Sequence, residues 1–262
     1  MADEHPIHRS ISADELLSTA HTRSFCNILF PPDLVLDEAD LSESRFERCL
    51  FRVPLIRGVD FSGSIFEDCR FAPTRFASCK LPGTRFTGCT LFDVEQKKGS
   101  SFAFCDLQAA EMTKCNFATC SFERCDLYNV HAVECSFRGV QFGHSSFTKA
   151  LSRRSTLARA SFDGCNFSFG DLSGLQLQNC QFLSCKFSEA SFIDTDLSDA
   201  MLSACQLDRV EWDRAKLRNA DLRGSRLSGL NLAVLADYAG LTVSESEQSG
   251  LLEGLGIAVQ PD

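Results

Sequence analysis

The residues best able to do chemistry in this chain are its 14 cysteines, which could form disulfides or bind zinc. Most of them recur at intervals of five or a multiple of five, and none shows the two-residue separation of zinc ligands. All except Cys26 fall in one sequence column that also accepts alanine and serine. Such a column selects for small size, so we expect 13 reduced, buried thiols, no metal and no cofactor. The alternative is a metal site or disulfides between stacked neighbours such as Cys165 and Cys185.

Other catalytic groups are sparse. Three of the five histidines lie in the first 21 residues, and none belongs to a zinc-protease or nucleophile motif. The glycines do not form a phosphate-binding loop. We therefore predict a binding protein and not an enzyme.

A ladder of large apolar residues at every fifth position dominates the chain. It occupies residues 41–91 and, one residue out of frame, residues 102–232. Of its 38 positions, here called rungs, 36 are bulky and apolar, and the exceptions are Ala132 and Ser152. A helix repeats every 3.6 residues and a strand every two, so a period of five indicates a larger repeating unit, as in a solenoid.

A second column accompanies the rungs. The residue two positions before a rung is Ala, Ser, Thr, Cys or Gly in 31 of 38 cases. Each five-residue unit therefore turns one large and one small side chain inward, and the three residues between are mostly polar. A backbone that bends after each unit closes a narrow coil that these side chains fill.

This pattern resembles the pentapeptide-repeat family, A(D/N)LXX, as in Ala39-Asp40-Leu41, Ala220-Asp221-Leu222 and the variant Cys69-Arg70-Phe71. The resemblance covers residues 34–232. It implies an all-β fold, a right-handed quadrilateral β-helix with four pentapeptides in each 20-residue coil. Ten coils at strand spacing would form a rod of about 50 Å.

Three regions follow from the limits of the ladder. Residues 1–33 are predicted to be an N-terminal arm or cap, with Ser12 as a helix N-cap and Asp14 and Glu15 in the first turn. A partner-binding arm is the alternative. Residues 34–232 are predicted to form the β-helix, and residues 233–262 are predicted to form a C-terminal helix and dimerisation tail.

Two places depart from the regular coil. The frame shift across residues 92–101 predicts an outward loop, whose candidate partner-binding residues are Asp93, Glu95, Lys97 and Lys98. A tolerated insertion is the alternative. Assignment of successive rungs to the four faces in turn places Met112, Ala132 and Ser152 above one another on one face. We therefore expect a second distortion near residues 150–156, unless neighbouring phenylalanines fill the space.

Charge is unevenly distributed. The net charge of −9 argues against direct nucleic-acid binding by the whole molecule. Residues 45–90 carry a local +4, residues 163–213 a local −7, and residues 214–226 five basic residues and one acidic residue. Six carboxylates of the second segment are expected on two adjacent faces, where they could mimic a phosphate backbone or simply confer solubility. We call them the acidic strip: Asp171, Asp194, Asp196, Asp199, Glu211 and Asp213.

The tail resembles that of the Qnr quinolone-resistance proteins, which end in a similar Leu-Leu-Glu-X-Leu-Gly-Ile-X-Val segment. Its apolar residues should cover the last coil and pair with a second copy of the chain. These residues are Leu251, Leu252, Leu255, Ile257 and Val259.

The resemblance points to a branch acting on topoisomerases, which includes the microcin and albicidin immunity proteins McbG and AlbG. It implies a DNA-mimicking homodimer that binds DNA gyrase or topoisomerase IV and relieves poisoning by quinolones or a peptide antibiotic. The alternative is a structural or adaptor rod, or an effector, that binds another protein. No apolar run spans a membrane and no secretory signal is evident, so we expect a cytoplasmic protein.

Overall fold

The computed structural model describes residues 9–12, 15–16, 23–152 and 155–260. Over this part of the chain the backbone winds into stacked coils, and the strands on the faces of the coils pair in parallel with strands one coil away. Phe66, for example, pairs with Phe46 and with Phe86, each 20 positions distant. This arrangement confirms the predicted quadrilateral β-helix.

Four faces follow one another around each coil, and we number them in chain order. Face 1 contains nine strands: Ser24–Cys26, Arg45–Glu47, Ile65–Glu67, Arg85–Thr87, Glu111–Thr113, Val130–Val133, Ala160–Asp163, Gln181–Leu183 and Met201–Ser203. Face 2 contains four: Arg9–Ser10, Ile28–Phe30, Leu50–Phe51 and Arg70–Phe71. Face 3 contains six: Leu36–Asp37, Leu55–Arg57, Arg75–Ala77, Ser101–Ala103, Ser121–Glu123 and Gln141–Gly143. Face 4 is held by single parallel bridges, such as Asp106 with Asp126.

The rungs fill the centre of the coils. Phenylalanines on the same face stack with nearly parallel rings, as in Phe46 and Phe66, whose centroids lie 4.6 Å apart. Phenylalanines on neighbouring faces meet edge to face, as Phe46 and Phe51 do at 5.7 Å. Both geometries are favoured by the ring quadrupole, so the stack adds specific aromatic contacts to simple burial.

The small column joins one coil to the next through hydrogen bonds. Ser64 Oγ donates to the carbonyl of Leu41 and accepts from the backbone N–H of Ser44. Thiols use the same geometry: the N–H of Cys89 donates to Cys115 Sγ at 3.4 Å. Thirteen cysteines are buried and Cys26 is exposed. Burial raises the pKa of the Cys120 thiol to about 12, so this thiol stays protonated at neutral pH.

At most corners between faces, the residue two positions after a rung has positive φ, as in Arg48 at 49°, Asp68 at 49° and Asn219 at 54°. The left-handed conformation costs an L-residue about 1–2 kcal/mol, because Cβ approaches the following carbonyl. Burial of the rungs and the complete pairing of the backbone between coils offset this cost.

The stacked strands begin earlier than the sequence pattern indicated. Phe25 and Phe30 are buried rungs of a first coil, within the stretch predicted to be an arm. Phe25 pairs with Phe46, 21 positions later instead of 20, and this extra residue breaks the period. Ser12 and Glu15 exchange hydrogen bonds as a capping box. Asp14 lies outside the described residues.

At the other end, the chain continues past Leu232 and covers the last coil. A 3-10 turn spans Leu232–Val234, a second spans Glu245–Glu247, and an α-helix spans Gln248–Gly254. Glu247 Oε2 accepts from the N–H of Leu227 at 3.0 Å, which satisfies a backbone donor that a further coil would otherwise have paired.

Substitution of a single rung should be costly. Phe182 is fully buried, stacks on Phe162 at 5.2 Å and meets Phe187 edge to face. We expect Phe182→Ala to lower the free energy of unfolding by about 3–5 kcal/mol through lost burial and the cavity left behind. Chemical denaturation would measure this loss. The matched control is Phe169→Ala, which removes a ring that is 48% exposed and off the ladder. Equal losses in the two variants would contradict the role of the rungs.

Candidate functional site

The coil leaves its regular path at residues 92–99, which we call hairpin 1. Phe92–Asp93 pairs antiparallel with Lys98–Gly99. Phe76 pairs with Ile56, 20 positions earlier, and with Phe102, 26 positions later, so this coil is six residues longer than a regular one. Hairpin 1 therefore projects from the corner between faces 2 and 3.

The four predicted loop residues all lie on hairpin 1. Glu95, Lys97 and Lys98 are exposed, whereas Asp93 is half-buried and accepts a hydrogen bond from the N–H of Gln96 at 2.8 Å. Val94 is 75% exposed at the outer end. Hairpin 1 thus presents an apolar side chain between charged ones, a composition that suits contact with another protein.

Gly99 anchors hairpin 1 to the next coil. Its N–H donates to Thr119 Oγ1 at 2.8 Å. A Cβ atom at this position would come within 2.5 Å of the carbonyl oxygen of Ala118, which is backbone and cannot move aside. The base of the hairpin is therefore fixed, although its end is exposed.

A second hairpin includes residues 148–152 and 155–158 and is called hairpin 2. Thr148–Ser152 pairs antiparallel with Ser155–Ala158, so the coil leaves its path at the corner between faces 4 and 1. A distortion was expected here. The predicted column of Met112, Ala132 and Ser152 is correct for the first two residues and wrong for Ser152. Ser152 belongs to hairpin 2, and Ala132 pairs with Met112 on one side and with Phe162, 30 positions later, on the other. The ten added residues equal two five-residue repeats, so the insertion leaves the spacing of the rungs unchanged. The spacing of the rungs therefore gives no sign of it.

The acidic strip lies on faces 3 and 4, where basic residues of the adjacent coil pair with part of it. Arg214 makes two hydrogen bonds to the carboxylate of Asp194, at 2.6 and 2.5 Å. This guanidinium holds the pKa of Asp194 below its ordinary value. Lys216 lies 3.4 Å from Asp196 Oδ2, and Asn219 donates to Asp199 at 3.1 Å. The basic residues that follow the acidic segment therefore neutralise two charges of the acidic strip, those of Asp194 and Asp196.

The other three strip residues lie on face 3 and are exposed. Asp171 pairs with Ser191 on the next coil, and Ser191 pairs with Glu211 on the coil after that. Asp213 lies two residues after Glu211 on the same face. Among the described residues, none of these three forms an ion pair. We call this group the face 3 carboxylates: Asp171, Glu211 and Asp213.

Two exposed aromatic residues escaped the sequence analysis. Phe104 is 56% exposed and Phe169 is 48% exposed, and both occupy corner positions with positive φ. The guanidinium of Arg124 lies 5.6 Å from the Phe104 ring centroid, and that of Arg138 lies 4.7 Å from Phe169. Positive φ is strained for a bulky side chain and is found more often at functional sites. Their position off the ladder was the signal that could have identified them.

The C-terminal tail divides the five predicted dimerisation residues into two groups. Leu251 is buried against the last coil and Leu252 is half-buried. Leu255, Ile257 and Val259 are 41%, 50% and 39% exposed. The second group is the part of the tail whose apolar side chains remain accessible.

Two further features are absent from the residues that the structure describes. No group of three or more histidine, cysteine or acidic side chains is placed to hold a metal ion. No helix there has both the length and the apolar character needed to cross a membrane.

Comparison with known proteins agrees with this architecture. A model of the pentapeptide repeat region matches residues 155–232. A second model, of eight pentapeptide repeats, matches residues 56–91, 100–139 and 135–174. A search of curated proteins finds no match.

Solved structures share the fold at low sequence identity. A trypsin-treated form of QnrB1, a plasmid-mediated fluoroquinolone resistance protein, is 22% identical with a TM-score of 0.66 and covers 91% of this chain and all of its own. Full-length QnrB1 is 23% identical with a TM-score of 0.65, over 89% of this chain and 99% of its own. HetL, a pentapeptide repeat protein involved in heterocyst differentiation regulation in the cyanobacterium Nostoc, is 17% identical with a TM-score of 0.51, over 88% and 94%.

The length of hairpin 1 yields a test of the coil geometry. Deletion of the six residues from Asp93 to Lys98 restores a five-residue step between Leu91 and Phe102. We expect this variant to keep the fold and to melt within a few degrees of the wild type. The matched control removes one residue more, Asp93 to Gly99, which turns the following rungs out of register. A melting temperature that falls equally in both variants would contradict the assigned boundaries.

Proposed function

The chain belongs to the pentapeptide-repeat family, and we propose that it is a binding protein that protects DNA gyrase or topoisomerase IV from a quinolone or a peptide poison. The observation that carries the proposal is a fold similar to QnrB1 over nearly the whole of both chains. QnrB1 is a fluoroquinolone resistance protein. This chain also has features that could contact an enzyme, namely the projecting hairpins and the acidic face.

The proposed mechanism is electrostatic and geometric. The face 3 carboxylates meet the basic surface on which the topoisomerase would hold DNA, because they are exposed and have no ion-pair partner within the part of the chain that the structure describes. Asp194, Asp196 and Asp199 lie beside them, but their partners on the next coil reduce their contribution. Complementary charge mainly accelerates and orients the encounter.

Hairpin 1 supplies the second contact. Its fixed base and exposed end allow Val94, Glu95, Lys97 and Lys98 to reach a surface that the flat faces of the rod cannot touch. In this proposal the contact alters the drug-bound enzyme and promotes loss of the poison. The function is one of binding, in the cytoplasm, and uses no catalytic group of this chain.

A second candidate function is an adaptor rod that binds another protein and has no role with topoisomerases. The coil-to-coil ion pairs favour it, because they neutralise Asp194 and Asp196 and leave a less continuous negative strip than a DNA mimic would have. HetL is a pentapeptide repeat protein with a regulatory role, so a similar rod serves another purpose there.

A gyrase supercoiling and cleavage assay in the presence of a quinolone, repeated with topoisomerase IV and with peptide poisons, tests the proposal. We expect the wild type to restore supercoiling, and the triple variant Asp171→Asn, Glu211→Gln, Asp213→Asn to need roughly tenfold more protein, at about 0.5 kcal/mol for each exposed charge. The six-residue deletion of hairpin 1 should also lose protection.

The matched control neutralises three carboxylates on face 1 or at its corner, Glu111→Gln, Glu134→Gln and Asp163→Asn, and should protect like the wild type. If wild-type protein changes neither supercoiling nor cleavage with any poison, the adaptor function replaces the proposal. A pull-down that recovers another protein and no topoisomerase would support that outcome.

The proposed assembly is a homodimer formed through the exposed part of the tail. We expect wild-type protein to sediment as a dimer and the double variant Leu255→Asp, Ile257→Asp to sediment as a monomer with an unchanged melting temperature, because charge cannot be buried in an apolar contact. Val35→Asp is the control, since Val35 is 76% exposed on another part of the rod. A monomeric wild type, or a dimer that survives the double substitution, would exclude this interface.

A further inference from the structure

The basic segment of residues 45–90 contains eight arginine and lysine residues, of which five pair with carboxylates. These pairs are Arg45 with Glu67, Arg48 with Glu47, Arg57 with Asp37, Lys80 with Asp60 and Arg85 with Glu111. Within the described part of the chain, the other three arginines, Arg52, Arg70 and Arg75, have no carboxylate at ion-pair distance. The unpaired positive charge of this segment therefore resides in these three side chains.

Two of the three arginines line the same groove. It lies between face 2 and hairpin 1 and has a volume of about 920 Å³. Arg52 and Arg70 stand on the face 2 side and are exposed. Phe92 and Val94 of hairpin 1 form part of the opposite side. We call this space the hairpin groove. Arg75 lies on face 3, outside it.

The floor of the hairpin groove is apolar. Leu50 and Ala72 are half-buried there, and Phe71, a rung, is buried beneath them. Val94 is 75% exposed at the rim, and Phe92 is half-buried. The groove thus combines two guanidinium groups that lack a carboxylate with apolar surface, and both features favour a peptide as occupant.

Three carboxylates also line the groove, and they limit what can bind. Asp93 is engaged by the N–H and side-chain amide of Gln96 within hairpin 1. Asp68 and Glu95 are exposed. These charges, on a molecule of net charge −9, disfavour a nucleic-acid strand, which carries a phosphate at every nucleotide. A segment with spaced carboxylates and apolar residues between them can meet the arginines and avoid Asp68 and Glu95.

We propose that the hairpin groove binds an extended acidic segment of a partner protein, with carboxylates on Arg52 and Arg70 and an apolar side chain between Leu50 and Val94. Arginine suits this role because its planar fork can bind a carboxylate through two hydrogen bonds. The site is separate from the face 3 carboxylates of the later coils. It shares Val94 with the topoisomerase contact proposed for hairpin 1, but Arg52 and Arg70 belong to the groove alone, so peptide binding can be lost while protection is kept.

Fluorescence anisotropy with a labelled eight-residue peptide of alternating glutamate and leucine tests this inference. We expect the wild-type protein to bind this peptide and to bind the same peptide with glutamine in place of glutamate at least about tenfold more weakly. The double variant Arg52→Glu, Arg70→Glu should lose at least about tenfold in affinity for the acidic peptide. The six-residue deletion of hairpin 1 should weaken binding as well, because it removes the apolar wall.

The matched control is Arg75→Glu, which reverses an arginine that also lacks a paired carboxylate but lies outside the groove. It should bind the acidic peptide within about twofold of the wild type. Melting temperatures of all variants confirm that the coils remain intact. The inference is overturned if the wild type does not bind the acidic peptide, if Arg75→Glu weakens binding as much as the double variant, or if a single-stranded oligonucleotide of equal charge binds more tightly.

Discussion

The whole structure depends on the packing of one large and one small side chain inside every five residues. Strands of adjacent coils lie about 4.8 Å apart, so the ring of each rung must stack flat on the next, as Phe102 does on Phe122 at 4.8 Å. The small residue fits where the backbone turns and ties one coil to its neighbour by a hydrogen bond, as Ser225 Oγ does with the carbonyl of Leu202. Neither position can change size freely, so variation is confined to the outward residues.

That constraint also decides where the chain can leave the coil. Both hairpins depart at corners, between the rung of one face and the small residue of the next, so no rung is lost from the stack. Hairpin 1 follows Leu91 and hairpin 2 follows Phe147, on diagonally opposite corners of the coil. The core therefore tolerates additions of different length, six residues in one case and ten in the other, and the features available for recognition are added to an unaltered interior.

The period of five was sufficient to predict the fold and the location of both departures, because it reflects the interior directly. It could not reveal that Ser152 and Leu157 belong to a hairpin, since a two-repeat insertion leaves the frame intact. It missed Phe25 because one extra residue precedes the regular coils. The candidate site was less predictable, since the charge that remains on Asp194 or Arg70 depends on which residue the next coil places beside it.

Coil-to-coil pairing explains why blocks of charge in the sequence overstate the field of the folded rod. An acidic residue and a basic residue 20 positions apart become neighbours, as Glu189 and Arg209 do at 2.5 Å. Exposed pairs of this kind stabilise the protein little, by about 0–1 kcal/mol each, but they remove charge from the surface that a partner meets. Recognition must then rely on the charges that this pairing leaves over. In this rod those charges include the carboxylates of face 3 and the arginines beside hairpin 1, which are opposite in sign and lie on different faces and coils. Such a surface differs from a single uniform polyanion. It fits the two distinct contacts with partner molecules that we propose.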